Sequence, residues 1–147
     1  MRRTAFSFVV ALTVLTATGT ASPSLAADNS SSASSAVVAE ARRWIGTNPT
    51  DMDRLWCARF MNFVLQRAGY RGTGSNLASS FATYGHRVGG PQVGAIAVMS
   101  RGKGGGHVGV VSGIDRSGNP IIISGNHNKR VGEGVYSRGR IYAYVMP

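Results

Sequence analysis

The sequence is poor in cysteine and in acidic residues. Cys57 is the single cysteine among 147 residues. A single cysteine excludes an intramolecular disulfide framework and a zinc cluster of four cysteines. Only 6 acidic residues stand against 16 lysines and arginines, which gives a formal charge of +10. This imbalance indicates contact with an acidic polymer or surface, although charge selects no fold. Hydrophobic residues make up 43% of the chain, enough for one small core.

Long apolar runs are also missing, apart from one near the beginning of the chain. Residues 1–3 are basic, residues 5–15 are mostly apolar, and Ser24 and Ala26 provide small residues at positions −3 and −1 of a cleavage site. This pattern is typical of a secretory signal peptide, and the run is short of the ~20 residues that a membrane span needs. We therefore expect residues 1–26 to be removed and the mature protein, without a transmembrane span, to be periplasmic or secreted.

Helical spacing dominates the first half of the remaining chain. Residues 27–35 are rich in serine and are predicted to form a flexible leader that ends in a helix N-cap. Apolar residues then recur at helical spacing up to Gly46 and again over residues 56–68, where Gly69 is placed as the residue after the helix. A short third helix is predicted over residues 75–84.

Beyond Pro91 the apolar spacing becomes that of strands. Short segments rich in β-branched and aromatic residues alternate with turn residues, over residues 93–99, 108–114, 120–124, 131–137 and 140–145. Helices followed by a run of strands indicate an α+β fold, with N-terminal helices packed on a small antiparallel sheet of about five or six strands. No repeat is present, so residues 36–147 are predicted to form one domain.

Cys57 lies at the predicted start of the second helix. Unpaired backbone N–H groups and the helix dipole favour a thiolate there, and the same N–H groups can receive the oxyanion of a tetrahedral intermediate. Free cysteine is also among the most buried residue types. Position alone therefore leaves two interpretations open, a nucleophile and a structural core residue.

A nucleophilic thiol needs a base, and His107 opens a predicted strand directly after a run of glycines. A hairpin turn near residues 115–119 folds this strand back on the next one. If Ile114 lies opposite Asn119, then His107 lies opposite Asn126, whereas a shift of one residue brings His127 there instead. An asparagine carbonyl that accepts from one ring nitrogen would fix the tautomer and leave the other nitrogen to activate the thiol.

Other chemistries have weaker support in the sequence. The glycine run near Lys103 lacks the ending and context of a phosphate-binding loop, and no Gly-x-Ser-x-Gly elbow is present. A zinc site formed by Cys57, His107 and His127 is conceivable, but no ligand pair at short metal spacing supports it. We therefore expect neither a metal nor a cofactor.

Three segments together resemble the CHAP family, the cysteine, histidine-dependent amidohydrolases/peptidases, within the wider NlpC-type cell-wall hydrolases. They are residues 56–62 (WCARFMN), 105–111 (GGHVGVV) and 123–127 (ISGNH). The resemblance covers residues 36–147 and implies a papain-like fold, with Cys57 as nucleophile, His107 as base and Asn126 as the third residue. Many members carry an acidic residue two positions before that asparagine, where this sequence has Ser124.

The resemblance also implies the substrate, which is an amide bond of peptidoglycan. The bond is either the N-acetylmuramoyl-L-alanine amide or a peptide bond in a stem or crossbridge, cleaved through a thioester on Cys57. The competing hypothesis is a non-catalytic basic module that binds wall polymer. We expect a monomer with electrostatic contact to anionic wall polymer or lipid, and no specific nucleic-acid partner. Whether Asn126, His127 or Ser124 orients the base stays open.

Overall fold

The computed structural model describes residues 24–147. The predicted signal peptide, residues 1–26, lies outside the described residues except for its last three. Within the described part of the chain, no helix is both long enough and apolar enough to cross a membrane.

Helix α1 spans Ser24–Arg42 and differs from the prediction at both ends. The segment 27–35, predicted as a flexible leader, is helical, and the predicted cap at its end lies inside the helix. A serine fits this position because its hydroxyl can bond a carbonyl one turn back, as the Ser35 hydroxyl does to the Ser32 carbonyl at 2.8 Å. The helix also ends before Trp44, which lies in a following turn.

Helix α2 spans Cys57–Arg67, as the apolar spacing predicts. It ends in a left-handed Gly69 with φ of 88°. The N–H of Gly69 donates to Gln66 O at 3.2 Å and the N–H of Tyr70 donates to Leu65 O at 2.8 Å. This pair of bonds is the Schellman motif, which confirms the predicted role of Gly69.

The third predicted helix is a shorter 3₁₀ helix, Ala78–Thr83. Ser75 orders the turn before this 3₁₀ helix, because its hydroxyl accepts a hydrogen bond from the N–H of Leu77 at 3.1 Å. A second support comes from α2, where the side chain of Asn62 donates to Ser75 O at 2.8 Å. The 3₁₀ segment therefore sits next to α2 and at the edge of the candidate site.

Six antiparallel strands form a single sheet, which confirms the predicted α+β class. The strands are β1 His86–Val88, β2 Ile96–Ser100, β3 Gly106–Ile114, β4 Pro120–His127, β5 Arg130–Val135 and β6 Ile141–Met146. Their order across the sheet is β1-β6-β2-β3-β4-β5. β3 and β4, which carry the candidate site, are therefore central neighbours.

The sheet is buried on both faces. One face presents Val98, Val110 and Ile123 to the main core, which also contains the apolar sides of α1 and α2. The other face holds a smaller apolar cluster around Met99 and Ile122. Alternate residues along each strand therefore pack into two different cores. Polar side chains at the end of the sheet form their hydrogen bonds with other residues of the sheet.

Strand β4 comes very close to the start of α2 at Gly125. A β-carbon at this residue would lie 2.6 Å from Cβ of Phe60 and 2.7 Å from the ring of Trp56. Any larger residue would therefore push the strand away from the helix. The glycine keeps the strand that carries Ser124 close to the helix that carries Cys57.

The β3–β4 hairpin reaches the predicted register by a different route. Ile114 pairs with Pro120 and not with Asn119, so the turn is one residue longer than predicted. A bulge between Val111 and Gly113 then shifts the register back. An extra residue on one strand compensates for the longer turn, so the pairing nearer the site is the one expected.

Candidate active site

Cys57 is the first residue of α2, is 4% exposed and lies at a pocket of about 140 Å³. Leu55 and Leu77 line this pocket and are 58% and 68% exposed, so they form an apolar rim. The remaining lining residues are Asn76, Ala78, Gly105 and Gly106. Asn76 is a polar residue in this lining that no sequence motif indicates.

The protonation state of Cys57 is set mainly by burial. Burial raises the pKa of the thiol, while hydrogen bonds with the backbone of Val108 and Ala58 and the charge of Arg101 lower the pKa without offsetting the burial. The stabilisation of a thiolate expected from the helix start is therefore outweighed. Burial therefore favours the neutral thiol over the thiolate at this position.

His107 is 2% exposed and is held through one ring nitrogen. Its Nε2 lies 3.0 Å from the hydroxyl of Ser124 on β4. Gly109 lies two residues after His107 on β3, and a β-carbon there would be 2.8 Å from Cβ of Ser124. The missing side chain leaves room for this diagonal contact across the strands. Ser124 is thus the hydrogen-bond partner of the predicted base.

Asn126, the predicted third residue, is not in this position. The register beyond the bulge pairs Val110 with Ile123 and, carried on toward the site, sets His107 opposite Asn126. The ladder becomes irregular there, and Asn126 takes a left-handed conformation with φ of 57°. Within the described part of the chain its side chain makes no hydrogen bond. Ser124, and not Asn126, contacts His107 Nε2 in the structure, and the role of Asn126 as the third residue stays a prediction.

The strand segment that carries His107 lies against Cys57. Cys57 hydrogen-bonds with the backbone of Val108 and shares its pocket with Gly106, the two residues that flank His107. The Nδ1 atom of His107 is buried and has no partner among the described residues. Because Nε2 is engaged by Ser124, Nδ1 is the ring atom available as a base.

Two further residues belong to the site. The hydroxyl of Tyr136 lies 3.3 Å from Ser124 Oγ and 3.5 Å from His107 Nε2, and its ring stacks on that of His107 at 5.9 Å. His127 Nδ1 lies 3.1 Å from the same hydroxyl. Tyr136 was not predicted, because it comes from the segment after β5 and only the sheet topology brings it here.

Comparison with known proteins places this geometry in a family. The family model described as the CHAP domain matches residues 48–126, more than half of the chain. The chain belongs to the CHAP domain family. The matched segment contains Cys57, His107, Ser124 and Asn126 and ends before His127. A search of curated proteins found no match to this chain.

Membership of the CHAP family indicates the general activity of this domain. CHAP domains are cysteine- and histidine-dependent amidohydrolases or peptidases with peptidoglycan as substrate. The arrangement agrees with that chemistry, since a thiol at a helix start adjoins the strand segment that carries a histidine with one free nitrogen. Among the described residues, no group of three histidine, cysteine, aspartate or glutamate side chains lies close enough to hold a metal ion.

The buried His107 should make this CHAP domain sensitive to acid. Burial, followed by the charge of Arg101, lowers the pKa of His107 to about 4 from the ordinary 6.5. Between these values the unfolded chain binds a proton that the folded chain does not. This group therefore does not change the free energy of unfolding above about pH 6.5. Between about pH 6.5 and about pH 4 it lowers that free energy by about 3 kcal/mol.

Urea unfolding from pH 8 to pH 4 measures this effect. The wild type should lose about 3 kcal/mol more stability over this range than His107→Ala does. His86→Ala, a change at an exposed histidine of β1, is the matched control and should behave as the wild type. Equal losses in wild type and His107→Ala would contradict the assigned pKa.

Proposed function

We propose that this CHAP domain is an exported cysteine hydrolase that cleaves an amide bond of peptidoglycan through a thioester on Cys57. The bond is either the N-acetylmuramoyl-L-alanine amide or a peptide bond of a stem or crossbridge. The observation that carries the proposal is a pocket-lining thiol set against the two residues that flank a histidine, whose Nδ1 is buried and has no partner among the described residues. Export is supported by the signal-peptide pattern of residues 1–26.

Both partners are neutral at rest, so proton transfer accompanies attack. As Cys57 Sγ bonds to the substrate carbonyl carbon, the thiol proton passes to His107 Nδ1. The carbonyl oxygen becomes an oxyanion, and its collapse breaks the carbon–nitrogen bond while Nδ1 returns the proton to the leaving amine. Water then hydrolyses the thioester, with His107 taking the proton of the water and returning it to the sulfur.

The oxyanion is stabilised by the start of α2. The first N–H groups of a helix have no intrahelical partner and lie at the positive end of the dipole. Those of Cys57 and Ala58 lie beside the thiol and lower its pKa. Donors fixed in this way need no rearrangement when negative charge develops beside the sulfur. The helix start thus supports the transition state, although it does not ionise the resting thiol.

The pocket and the charge of the chain fit a wall substrate. The rim of Leu55 and Leu77 suits small apolar groups on either side of an amide. Loss of residues 1–26 removes Arg2 and Arg3 and leaves a net charge of +8. Free carboxylates of peptidoglycan stems are attracted to such a surface, and salt screens this attraction over ~8–10 Å.

Digestion of purified peptidoglycan tests the proposal. We expect amino groups to appear without reducing sugar ends, because an amide and not a glycosidic bond is broken. Mass spectrometry of the fragments then identifies the bond. The apparent affinity should fall as salt is raised, since the attraction to the polymer is screened.

Two results would contradict the proposal. Reducing ends without amino groups would make the protein a glycosidase. Binding to peptidoglycan without release of either product would favour the non-catalytic wall-binding module. Heat-unfolded protein is the control for adsorption that depends on charge alone, because it keeps the +8 charge and loses the site.

A further inference from the structure

A continuous chain of hydrogen bonds leads from the buried base to the edge of the sheet. His107 Nε2 lies 3.0 Å from Ser124 Oγ, which lies 3.3 Å from the hydroxyl of Tyr136. That hydroxyl lies 3.1 Å from His127 Nδ1. His107 and Ser124 are buried, whereas Tyr136 and His127 are half-buried. The chain therefore connects the interior of the site with solvent, and its outer members lie beyond the segment that the family model matches.

No carboxylate among the described residues compensates the charge that His107 gains during catalysis. The groups whose charges act on His107 are Arg101, His127 and Arg140, and all of them lower its pKa. Ser124 stands where many family members have an acidic residue. Support for the imidazolium is left to oriented hydrogen bonds, which are effective in a buried site because water does not compete for them.

The direction of these bonds decides which nitrogen of His107 is the base. For Nδ1 to accept the thiol proton, the ring proton must be on Nε2, which then donates to Ser124. The Ser124 hydroxyl in turn donates to the Tyr136 oxygen, and the Tyr136 hydroxyl donates to His127 Nδ1. Every member donates in one direction, and the chain ends on an acceptor that exists only while His127 is neutral.

We propose that Tyr136 and His127 are positioning residues of the hydrolase, which hold His107 in the tautomer with a free Nδ1 and reverse that tautomer when His127 is protonated. A protonated His127 donates from Nδ1 to Tyr136. Tyr136 then donates to Ser124, and Ser124 donates to Nε2 of His107. The ring proton of a neutral His107 is thereby moved to Nδ1, which can no longer accept the proton of Cys57.

Three titratable or charged residues adjoin His127 in the structure. They are the Tyr136 hydroxyl and the His107 ring, together with Arg130, which is paired with His127 across the β4–β5 turn. Lys129 lies in the turn itself. The carboxylate of β5, Glu133, is bonded to Ser112 on β3 and does not serve His127. Protonation of His127 thus reaches the base in two ways, through the chain of hydrogen bonds and through its charge, which lowers the pKa of His107.

The inference rests on the proposed hydrolysis, and the pH dependence of kcat/KM tests it. Tyr136→Phe keeps the stacked ring and removes the hydroxyl. We expect kcat to fall about tenfold near pH 8, with KM little changed, because the hydrogen bond supports the base and not the substrate. The acid limb of the profile should also move to lower pH, since protonation of His127 no longer reverses the His107 tautomer through the hydroxyl, although its charge still acts on His107.

Matched variants separate this role from a structural one. His127→Ala should shift the acid limb in the same direction as Tyr136→Phe and at least as far, because it also removes the His127 charge. Tyr142→Phe and His86→Ala, at exposed residues outside the chain, should leave the profile unchanged. A lower plateau with an unshifted acid limb in both Tyr136→Phe and His127→Ala would overturn the proposal.

Nitrogen NMR of labelled histidine tests the same point without any turnover. In the Cys57→Ala protein at pH 8, His107 should carry its proton on Nε2. Lowering the pH until His127 protonates should move the proton of His107 to Nδ1, and Tyr136→Phe should abolish this coupling. If hydrolysis of peptidoglycan fails while the coupling is present, the proposed function is wrong and the positioning is right. A His107 tautomer that ignores His127 would overturn the positioning itself.

Discussion

Replacing Cys57 with alanine is expected to lower turnover of peptidoglycan by at least about 10³-fold, because the only thiol of the chain is the proposed nucleophile. The protein should still fold. Cys57 is 4% exposed and belongs to the main core, so the loss of the sulfur should cost about 1–2 kcal/mol of unfolding free energy. Residual activity and urea unfolding, measured on the same preparation, check both expectations.

A control variant separates lost chemistry from lost stability. Val64→Ala removes a fully buried side chain of α2 and should destabilise the fold at least as much as Cys57→Ala does. We expect Val64→Ala to keep turnover within a few-fold of the wild type under conditions where it is folded. Hydrolysis retained by Cys57→Ala would exclude the thiol mechanism.

Replacing His107 with alanine is expected to lower turnover by about 10²–10⁴-fold, the usual contribution of a general base. Among the candidate third residues, Ser124→Ala should cost more than Asn126→Ala. Ser124 holds Nε2 of His107 at 3.0 Å, whereas the Asn126 side chain makes no hydrogen bond within the described residues. Steady-state kinetics on the three variants, with exposed His86→Ala as the control, measure this order.

A larger loss in Asn126→Ala than in Ser124→Ala would reverse the assignment. It would mean that Asn126 leaves its left-handed conformation and turns toward His107 when substrate binds. Equal and small losses in both variants would mean that the stacked ring of Tyr136 is sufficient to orient the base.

The elements predicted most accurately are those whose signals are local. The apolar spacing and Gly69 define α2, and β-branched segments between turn residues indicate the five longer strands. Strand β1 was missed because its three residues, His86–Val88, are partly or fully exposed and are ordered by pairing with β6. Helix α1 was predicted too short at its beginning, since a serine-rich segment suits a flexible leader as well as a helix.

In the candidate site, too, residues with local signals could be predicted and residues placed by long-range packing could not. Cys57 and His107 could be found from a helix start and a glycine-flanked strand, and the structure brings those two segments together. Ser124 and Tyr136 could not be ranked from the sequence, because a bulge in β3 and a break in β4 decide which side chains reach His107. The raised pKa of Cys57 was missed as well, because burial depends on the whole fold.

Alkylation of Cys57 with iodoacetamide is the most direct test of the thiol mechanism. Since the chain has one cysteine, the mass of the intact protein counts modified molecules without ambiguity. Residual release of amino groups from peptidoglycan is measured on the same samples during the reaction. We predict that the fraction of activity lost equals the fraction of protein modified at every time point. A fully alkylated protein that still releases amino groups at the original rate would contradict the mechanism.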